Sequence, residues 1–191
     1  MYADRPELRQ RPANFVPLSP IGFLRRAATC FGDQLAVIHG PRHITYLEFY
    51  ARCRRLASAL AKAGVGHGDT VSILAANVPA MLEAHYAVPM LGAVLNSINI
   101  RLDATAIAFC LDHGEAKVLL ADREFHAAIA PALKLARRPP LVIDIADPET
   151  AAAPSLGVVE YEDFIAAGDP GFAYPGPRDE LDAICLLYTS G

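Results

Sequence analysis

The sequence predicts an α/β protein with a Rossmann-like, doubly wound parallel sheet. Apolar runs of strand length alternate along the chain with segments of helical spacing, and the runs cover 71–75, 93–97, 118–121 and 141–145. Strands that are separated by helices form parallel sheets with right-handed crossovers. The length of 191 residues and the hydrophobic share of 53% allow a sizeable core around such a sheet.

The last apolar run, Ala183 to Tyr188, leads directly into Thr189, Ser190 and Gly191. Ligands of doubly wound sheets bind at the carboxyl ends of the strands. Hydroxyl and backbone N–H groups donate to phosphate oxygens, and a glycine lets the main chain approach the ligand. The sequence therefore predicts a nucleotide-phosphate site at these three residues; the alternative is a strand that simply ends in a polar turn.

The amino-terminal part of the chain predicts an arm, a helix and a hairpin. Residues 1–20 are polar and rich in proline, which favours an extended arm. Apolar residues recur with helical spacing from Phe23 to Phe31, and Gly32 ends that helix. Leu35–His39 and His43–Tyr46 flank a Gly-Pro-Arg turn, which predicts a β-hairpin.

The helix predicted from Tyr46 to Ala63 has the clearest signature. Thr45 and Glu48 form a capping box, in which the threonine oxygen accepts from an early N–H group and the glutamate reaches back. One face carries an apolar stripe, and the other carries basic residues that we expect to face water. The stripe is Phe49, Cys53, Leu56, Ala57 and Leu60, and the basic residues are Arg52, Arg54, Arg55 and Lys62.

Further helices are predicted from their capping residues and their prolines. They are a helix over Pro79–Val88 capped by Asn77 and bent or ended by Pro89, a helix from Asp103 to His113, a helix capped by Asp122 and interrupted at Pro131, and a short helix over 161–167.

Composition argues against several classes of function. The net charge is −4 without a long run of either sign, which gives nucleic-acid binding little support. The charged first fifteen residues are unlike a signal peptide, and no apolar stretch reaches the ~20 residues of a membrane-spanning helix. The four cysteines lack zinc or disulfide spacing, and His39 and His43 have no carboxylate or cysteine ligand nearby in the sequence. We therefore expect a cytoplasmic protein with reduced thiols and no metal site.

The chain resembles the adenylate-forming acyl-CoA synthetases, also called AMP-binding enzymes, over nearly its whole length. Three segments carry the resemblance: 45–102, HGEAKVLLAD at 113–122 and DELDAICLLYTSG at 179–191. Within the family, residues 13–28, 81–96 and 106–125 are most similar to the branch that acts on short- and medium-chain acids, which includes methylmercaptopropionate-CoA ligases.

The resemblance implies that the chain is the first, incomplete part of the family's large N-terminal domain. Its expected divisions are an extended arm (1–20), a helix and hairpin (21–46), a βα-repeat subdomain (47–145), a crossing loop with a short helix (146–182), and a strand with the start of the phosphate-binding loop (183–191). The implied substrates are a carboxylic acid, ATP with Mg²⁺, and CoA, and a homodimer is compatible with the family. Thr189, Ser190 and Gly191 are the implied nucleotide contacts.

The family's catalytic lysine and acyl pocket have no counterpart here, so the resemblance implies no catalytic residue in this chain. Three alternatives stay open: part of an amino-acid or aryl-acid adenylating enzyme, a non-catalytic nucleotide- or CoA-binding module, and an inactive truncated product. The binding module is disfavoured because no helix follows the turn to direct its dipole at a phosphate.

Overall fold

The computed structural model describes residues 11, 13, 15, 18–150 and 153–187. The helices in this part of the chain are α1 Pro20–Cys30, α2 Tyr46–Lys62, α3 Pro79–Met90, α4 Ala104–His113, α5 His126–Leu135 and α6 Tyr161–Ala166. The strands are β1 Leu35–His39, β2 Arg42–Thr45, β3 Thr70–Leu74, β4 Val94–Ser97, β5 Ala116–Asp122, β6 Leu141–Ile145, β7 Val159–Glu160 and β8 Cys185–Leu186.

Six strands form one sheet in the order β7-β6-β5-β3-β4-β8, and every neighbouring pair is parallel. In chain order, β4 lies on one side of β3, and β5, β6 and β7 then lie on the other side. This reversal of direction at β3 defines a doubly wound sheet, so the predicted fold class is confirmed. The first two strands, β1 and β2, form a separate antiparallel hairpin.

Helices cover both faces of the sheet. On one face, α1, α2 and α3 bury a core that includes Leu56, Leu60 and Met90. On the other, α4 and α5 bury a core that includes Ile107 and Ile129. Because both faces are covered, the central strands are mostly apolar on both sides, as parallel strands usually are, and the buried polar pair Asn96 and Ser72 is joined by a hydrogen bond. No helix in the described ranges is long and apolar enough to cross a bilayer.

The predicted capping box and the cap of α4 are confirmed. The Glu48 N–H donates to Thr45 Oγ1 at 3.2 Å, and the Thr45 N–H donates to Glu48 Oε2 at 2.8 Å. The Ala106 N–H donates to Asp103 Oδ1 at 2.8 Å at the start of α4. These caps depend on residues three positions apart, which is why sequence alone locates them.

The prediction for the start of α3 is wrong. Val78, not Asn77, is the N-cap, and its side chain makes no capping bond. Pro79 occupies the first turn, where its missing N–H group leaves nothing unpaired. The helix also continues through Pro89 to Met90, since a proline this near the end disturbs only one helical hydrogen bond.

The prediction for Asp122 is also partly wrong. Its Oδ1 accepts from the Glu124 N–H at 3.0 Å, which caps a 3-10 turn at Arg123–Phe125 rather than a helix. Helix α5 begins only at His126 and passes through Pro131 without ending.

Among the basic side chains of α2, Lys62 is exposed as predicted, but Arg52, Arg54 and Arg55 are partly buried, contrary to the prediction. All four have hydrogen-bond partners in other segments. Three of them reach main-chain carbonyls of the segment that follows α6: Arg54 Nε to Phe172 at 3.1 Å, Arg55 Nη1 to Gly168 at 3.1 Å and Lys62 Nζ to Ala167 at 2.6 Å. The last two cations lie at the carboxyl end of α6, where the helix dipole favours positive charge. Gly168 allows the segment after α6 to lie directly against α2, because a Cβ atom at this position would collide with the Arg55 carbonyl.

Strand β8 is shorter than predicted. Sequence alone predicts a strand over 183–188, whereas β8 covers Cys185–Leu186, and Tyr188 lies outside the described residues. Within the described part of the chain, β8 pairs with β4 alone, in the register Leu95↔Cys185 and Asn96↔Leu186. An apolar run marks the residues that can form a strand, but pairing decides how many of them do.

Candidate functional site

The strand that precedes the predicted site, β8, lies beside β4 at one edge of the sheet. The turn that follows β4 is closed by Asn99, whose Oδ1 accepts from the Arg101 N–H at 2.9 Å. The Leu95 N–H donates to the Ile184 carbonyl at 3.0 Å, which aligns β8 with β4. Because the two strands are parallel, the carboxyl end of β8 lies at the same edge of the sheet as the end of β4 at Ser97.

Thr189, Ser190 and Gly191 lie outside the described residues. The described chain stops at Leu187, one residue beyond β8. The strand and its direction agree with the sequence-based argument, and the assignment of the three residues to a phosphate site stays a prediction.

An apolar groove of about 620 Å³ runs beside β8. The hairpin, α3 and the β4–β8 pair form its walls, and its described lining includes Val37, Ile38, Met81, Leu82, Tyr86 and Leu95. His39, Asn77 and His85 supply its polar groups. A lining of this composition suits apolar surface better than a phosphate group.

The hairpin is tied to the carboxyl edge of the sheet by His39 and Asp147. The His39 Nε2 atom lies 2.9 and 3.0 Å from the two carboxylate oxygens of Asp147, which follows β6 and is 6% exposed. Burial raises the pKa of Asp147, but the His39 hydrogen bond and the Glu149 N–H outweigh it and hold this pKa below its usual range. Asp147 is therefore ionised at neutral pH.

A second buried acid, Glu83, lies on α3 and is fully buried. It accepts from Arg52 Nε at 2.5 Å and from the Tyr161 hydroxyl at 2.6 Å. Arg52 also donates to Glu162 at 2.8 Å, so the cluster joins α2, α3 and α6. Both carboxylate oxygens of Glu83 have hydrogen-bond partners, so this cluster has a structural role: it holds the three helices together.

Sequence reasoning missed both clusters because their partners are distant in the chain. His39 and Asp147 are 108 positions apart, and Glu83 and Tyr161 are 78 apart. One signal could have identified Glu83: it is the single acidic residue in the mostly apolar stretch from Pro79 to Met90. Charged residues are almost never fully buried without a partner, so a cation had to be expected nearby.

Comparison with known proteins identifies the family. The AMP-binding enzyme family matches residues 24–191. A peroxisomal acetate/butyrate–CoA ligase of Arabidopsis thaliana is 46% identical over 203 residues, which cover 100% of this chain and 36% of that protein. An acetate–CoA ligase of Humulus lupulus is also 46% identical, and the match covers 98% of this chain and 35% of that protein. The chain thus spans about a third of the length of these relatives.

Solved structures agree on the fold. An anthranilate CoA ligase in complex with anthranoyl-AMP superposes with a TM-score of 0.83 at 19% identity, over 95% of this chain and 34% of that chain. A putative long-chain-fatty-acid CoA ligase from Rhodopseudomonas palustris superposes with a TM-score of 0.76 at 28% identity, over 91% of this chain and 42% of that chain. With this sheet and a family match that begins in α1 and extends to residue 191, the chain belongs to the AMP-binding enzymes.

Proposed function

We propose that this chain is part of an ATP-dependent acyl-CoA ligase that activates a short- or medium-chain carboxylic acid. The observation that carries the proposal is the 46% identity, over the whole chain, to a ligase named for acetate and butyrate. The anthranilate ligase is only 19% identical, so it bears on the fold and not on the acid.

The proposed reaction has two steps. The substrate carboxylate attacks the α-phosphorus of ATP, forming acyl-AMP and releasing pyrophosphate. The CoA thiol then attacks the acyl carbon and loses its proton, which forms the thioester and releases AMP. Catalysis of such steps depends mainly on positioning and on stabilisation of charge at the phosphates.

The contribution of this chain to that reaction is the start of the phosphate-binding loop. The hydroxyl groups of Thr189 and Ser190 fit phosphate oxygens as donors, and Gly191 lets the main chain approach them. Mg²⁺ is proposed to accompany ATP and to offset the charge of its phosphates; within the described ranges, no cluster of three or more His, Cys, Asp or Glu residues could hold a metal. CoA is the proposed acyl acceptor.

The location and assembly of the ligase belong to the same proposal. The sequence spacing of the four cysteines, at positions 30, 53, 110 and 185, is unlike a disulfide pattern, which supports a reducing compartment such as the cytoplasm. The Arabidopsis relative is named as peroxisomal, so localisation of a tagged chain has two defined outcomes. A homodimer is proposed from the family resemblance and is tested by sedimentation.

A hybrid protein tests the proposed activity. It joins residues 1–191 of this chain to the part of the Arabidopsis ligase that follows its matching segment. We expect the hybrid to catalyse pyrophosphate exchange into ATP that depends on acetate or butyrate, and we expect the 191-residue chain alone to show none. The acyl pocket of the hybrid comes from the Arabidopsis part, so the test of this chain is whether exchange occurs: a hybrid that melts cooperatively but exchanges with no acid would contradict the proposal.

Thr189→Val in the hybrid tests the phosphate contact. Valine keeps the shape of threonine and removes its hydroxyl donor. A hydrogen bond to a charged group contributes about 1.5–3 kcal/mol, so we expect the exchange rate to fall roughly ten- to a hundredfold. Thr105→Val, at an exposed position of α4, is the matched control and should leave the rate unchanged. Equal rates for the two variants would remove Thr189 from the site.

A further inference from the structure

The placement of β8 poses a physical problem, because the strand pairs through very few residues. Its described ladder is Leu95↔Cys185 and Asn96↔Leu186. A shift by one residue would move the strand about 3.3 Å and turn each side chain to the opposite face. A ladder of this length specifies register weakly, so other contacts must hold the chain before β8 in place.

The carboxylate of Asp182, just before β8, makes those contacts through one oxygen. Its Oδ2 atom accepts from the Arg178 N–H at 2.8 Å and the Asp179 N–H at 3.2 Å, which closes a compact turn. The same atom lies 3.1 Å from Nε2 of His67, in the turn that precedes β3. The His67 bond and the two N–H groups hold the pKa of Asp182 below its usual range.

The His67 ring lies against the backbone of Gly92, in a region where three turns are joined by hydrogen bonds. Gly92, which has a positive φ of +66°, leaves room for the ring, since a Cβ atom there would lie 2.7 Å from His67 Cδ2. The Gly68 N–H donates to the Gly92 carbonyl at 2.8 Å, and the Gly176 N–H donates to the Met90 carbonyl at 2.7 Å. The turns before β3, β4 and β8 therefore meet at His67, at the amino edge of the sheet.

We propose that His67 is a positioning residue: its hydrogen bond to Asp182 fixes the register of β8, the strand that precedes the proposed phosphate contacts Thr189, Ser190 and Gly191. An effect of His67 on ATP rests on the proposed function, whereas its effect on register does not. The alternative is that the His67–Asp182 pair contributes little to the register, as many surface ion pairs contribute little to stability, since its side chains are 36% and 27% exposed.

Amide hydrogen exchange in the 191-residue chain tests the register. The Leu95 N–H, which donates to Ile184, reports the pairing of β8, and the Ile98 N–H, which donates to Ile73, reports the pairing of β4 with β3. In His67→Ala we expect exchange at Leu95 to rise about fivefold or more, the factor of a typical hydrogen bond, without a matching rise at Ile98. His67→Gln, which retains an N–H donor, should restore much of the protection.

Lys117→Ala is the matched control, because Lys117 forms an ion pair with Asp69 at 2.8 Å, in the same turn as His67. It should leave exchange at Leu95 unchanged. An unchanged rate at Leu95 in His67→Ala, or an equal rise at Leu95 and Ile98, would overturn the proposal. If His67→Ala does not fold, Asp182→Asn weakens the same bond and is judged by the same two amides.

Kinetics of the hybrid separate this inference from the proposed function. In an active hybrid, His67→Ala should raise the KM for ATP at least about fivefold, and His67→Gln should return it toward the parent value. Faster exchange at Leu95 with an inactive parent hybrid would leave the register role intact and count against the proposed function. Faster exchange at Leu95 with an unchanged KM for ATP and an unchanged kcat would overturn the role at the phosphate site.

Discussion

Arg52→Ala is expected to lower the free energy of unfolding by about 3–5 kcal/mol, the usual loss when one partner of a buried ion pair is removed. Glu83 is fully buried, and Arg52 donates to both of its carboxylate oxygens. Without the guanidinium, the described contacts leave Glu83 with the Tyr161 hydroxyl at 2.6 Å. A buried carboxylate without a cation must either stay charged at high cost or take up a proton. Urea unfolding followed by far-UV circular dichroism measures the loss.

Two matched variants separate charge from packing. Arg52→Met keeps most of the hydrocarbon stem and removes the charge, so it should lose nearly as much stability as Arg52→Ala. Arg42→Ala removes the ion pair with Glu162, whose side chains are 38% and 45% exposed, and should cost about 1 kcal/mol or less. A loss in Arg52→Ala no larger than in Arg42→Ala would show that Glu83 does not depend on Arg52.

The sequence predicted the elements whose signals are local. The Thr45–Glu48 capping box, the Asp103 cap and the four apolar strands between residues 70 and 145 each depend on residues a few positions apart, and each is confirmed. The family resemblance added, as an expectation, that the turn after β8 continues into a phosphate-binding loop. The phosphate contacts at Thr189, Ser190 and Gly191 stay predictions, since those residues lie outside the described part of the chain.

The features that sequence alone missed depend on distant segments. Helical spacing predicts that the basic face of α2 is solvent-exposed, yet Arg55 contacts the carbonyl of Gly168, which is 113 positions away in the chain. His67 likewise meets Asp182 across 115 positions. Helical spacing identifies the faces of a helix, but it does not show whether a later segment will cover the polar one. The groove beside β8 is missed for the same reason, because its walls come from the hairpin, α3, β4 and β8, which are spread over the chain.

Leu56→Ala is expected to cost about 2–5 kcal/mol of unfolding free energy. Leu56 lies on the predicted stripe of α2 and is fully buried in the core that α2 shares with α1 and α3. Truncation removes apolar contacts and leaves a cavity that the surrounding helices can close only in part. Because α2 contacts α1, α3 and α6, the cavity weakens the packing of these helices on that face of the sheet.

Leu47→Ala is the control within the same helix, since Leu47 is 56% exposed. Both changes replace leucine with alanine in α2, so any difference between them reports burial rather than helix propensity. We expect Leu47→Ala to change stability by no more than about 0.5 kcal/mol. Equal losses for the two variants in urea unfolding would mean that the stripe of α2 does not define the buried face. A large loss confined to Leu56 would instead show that helical spacing alone identified the core of this face, even though it misjudged the surroundings of the basic residues on the same helix.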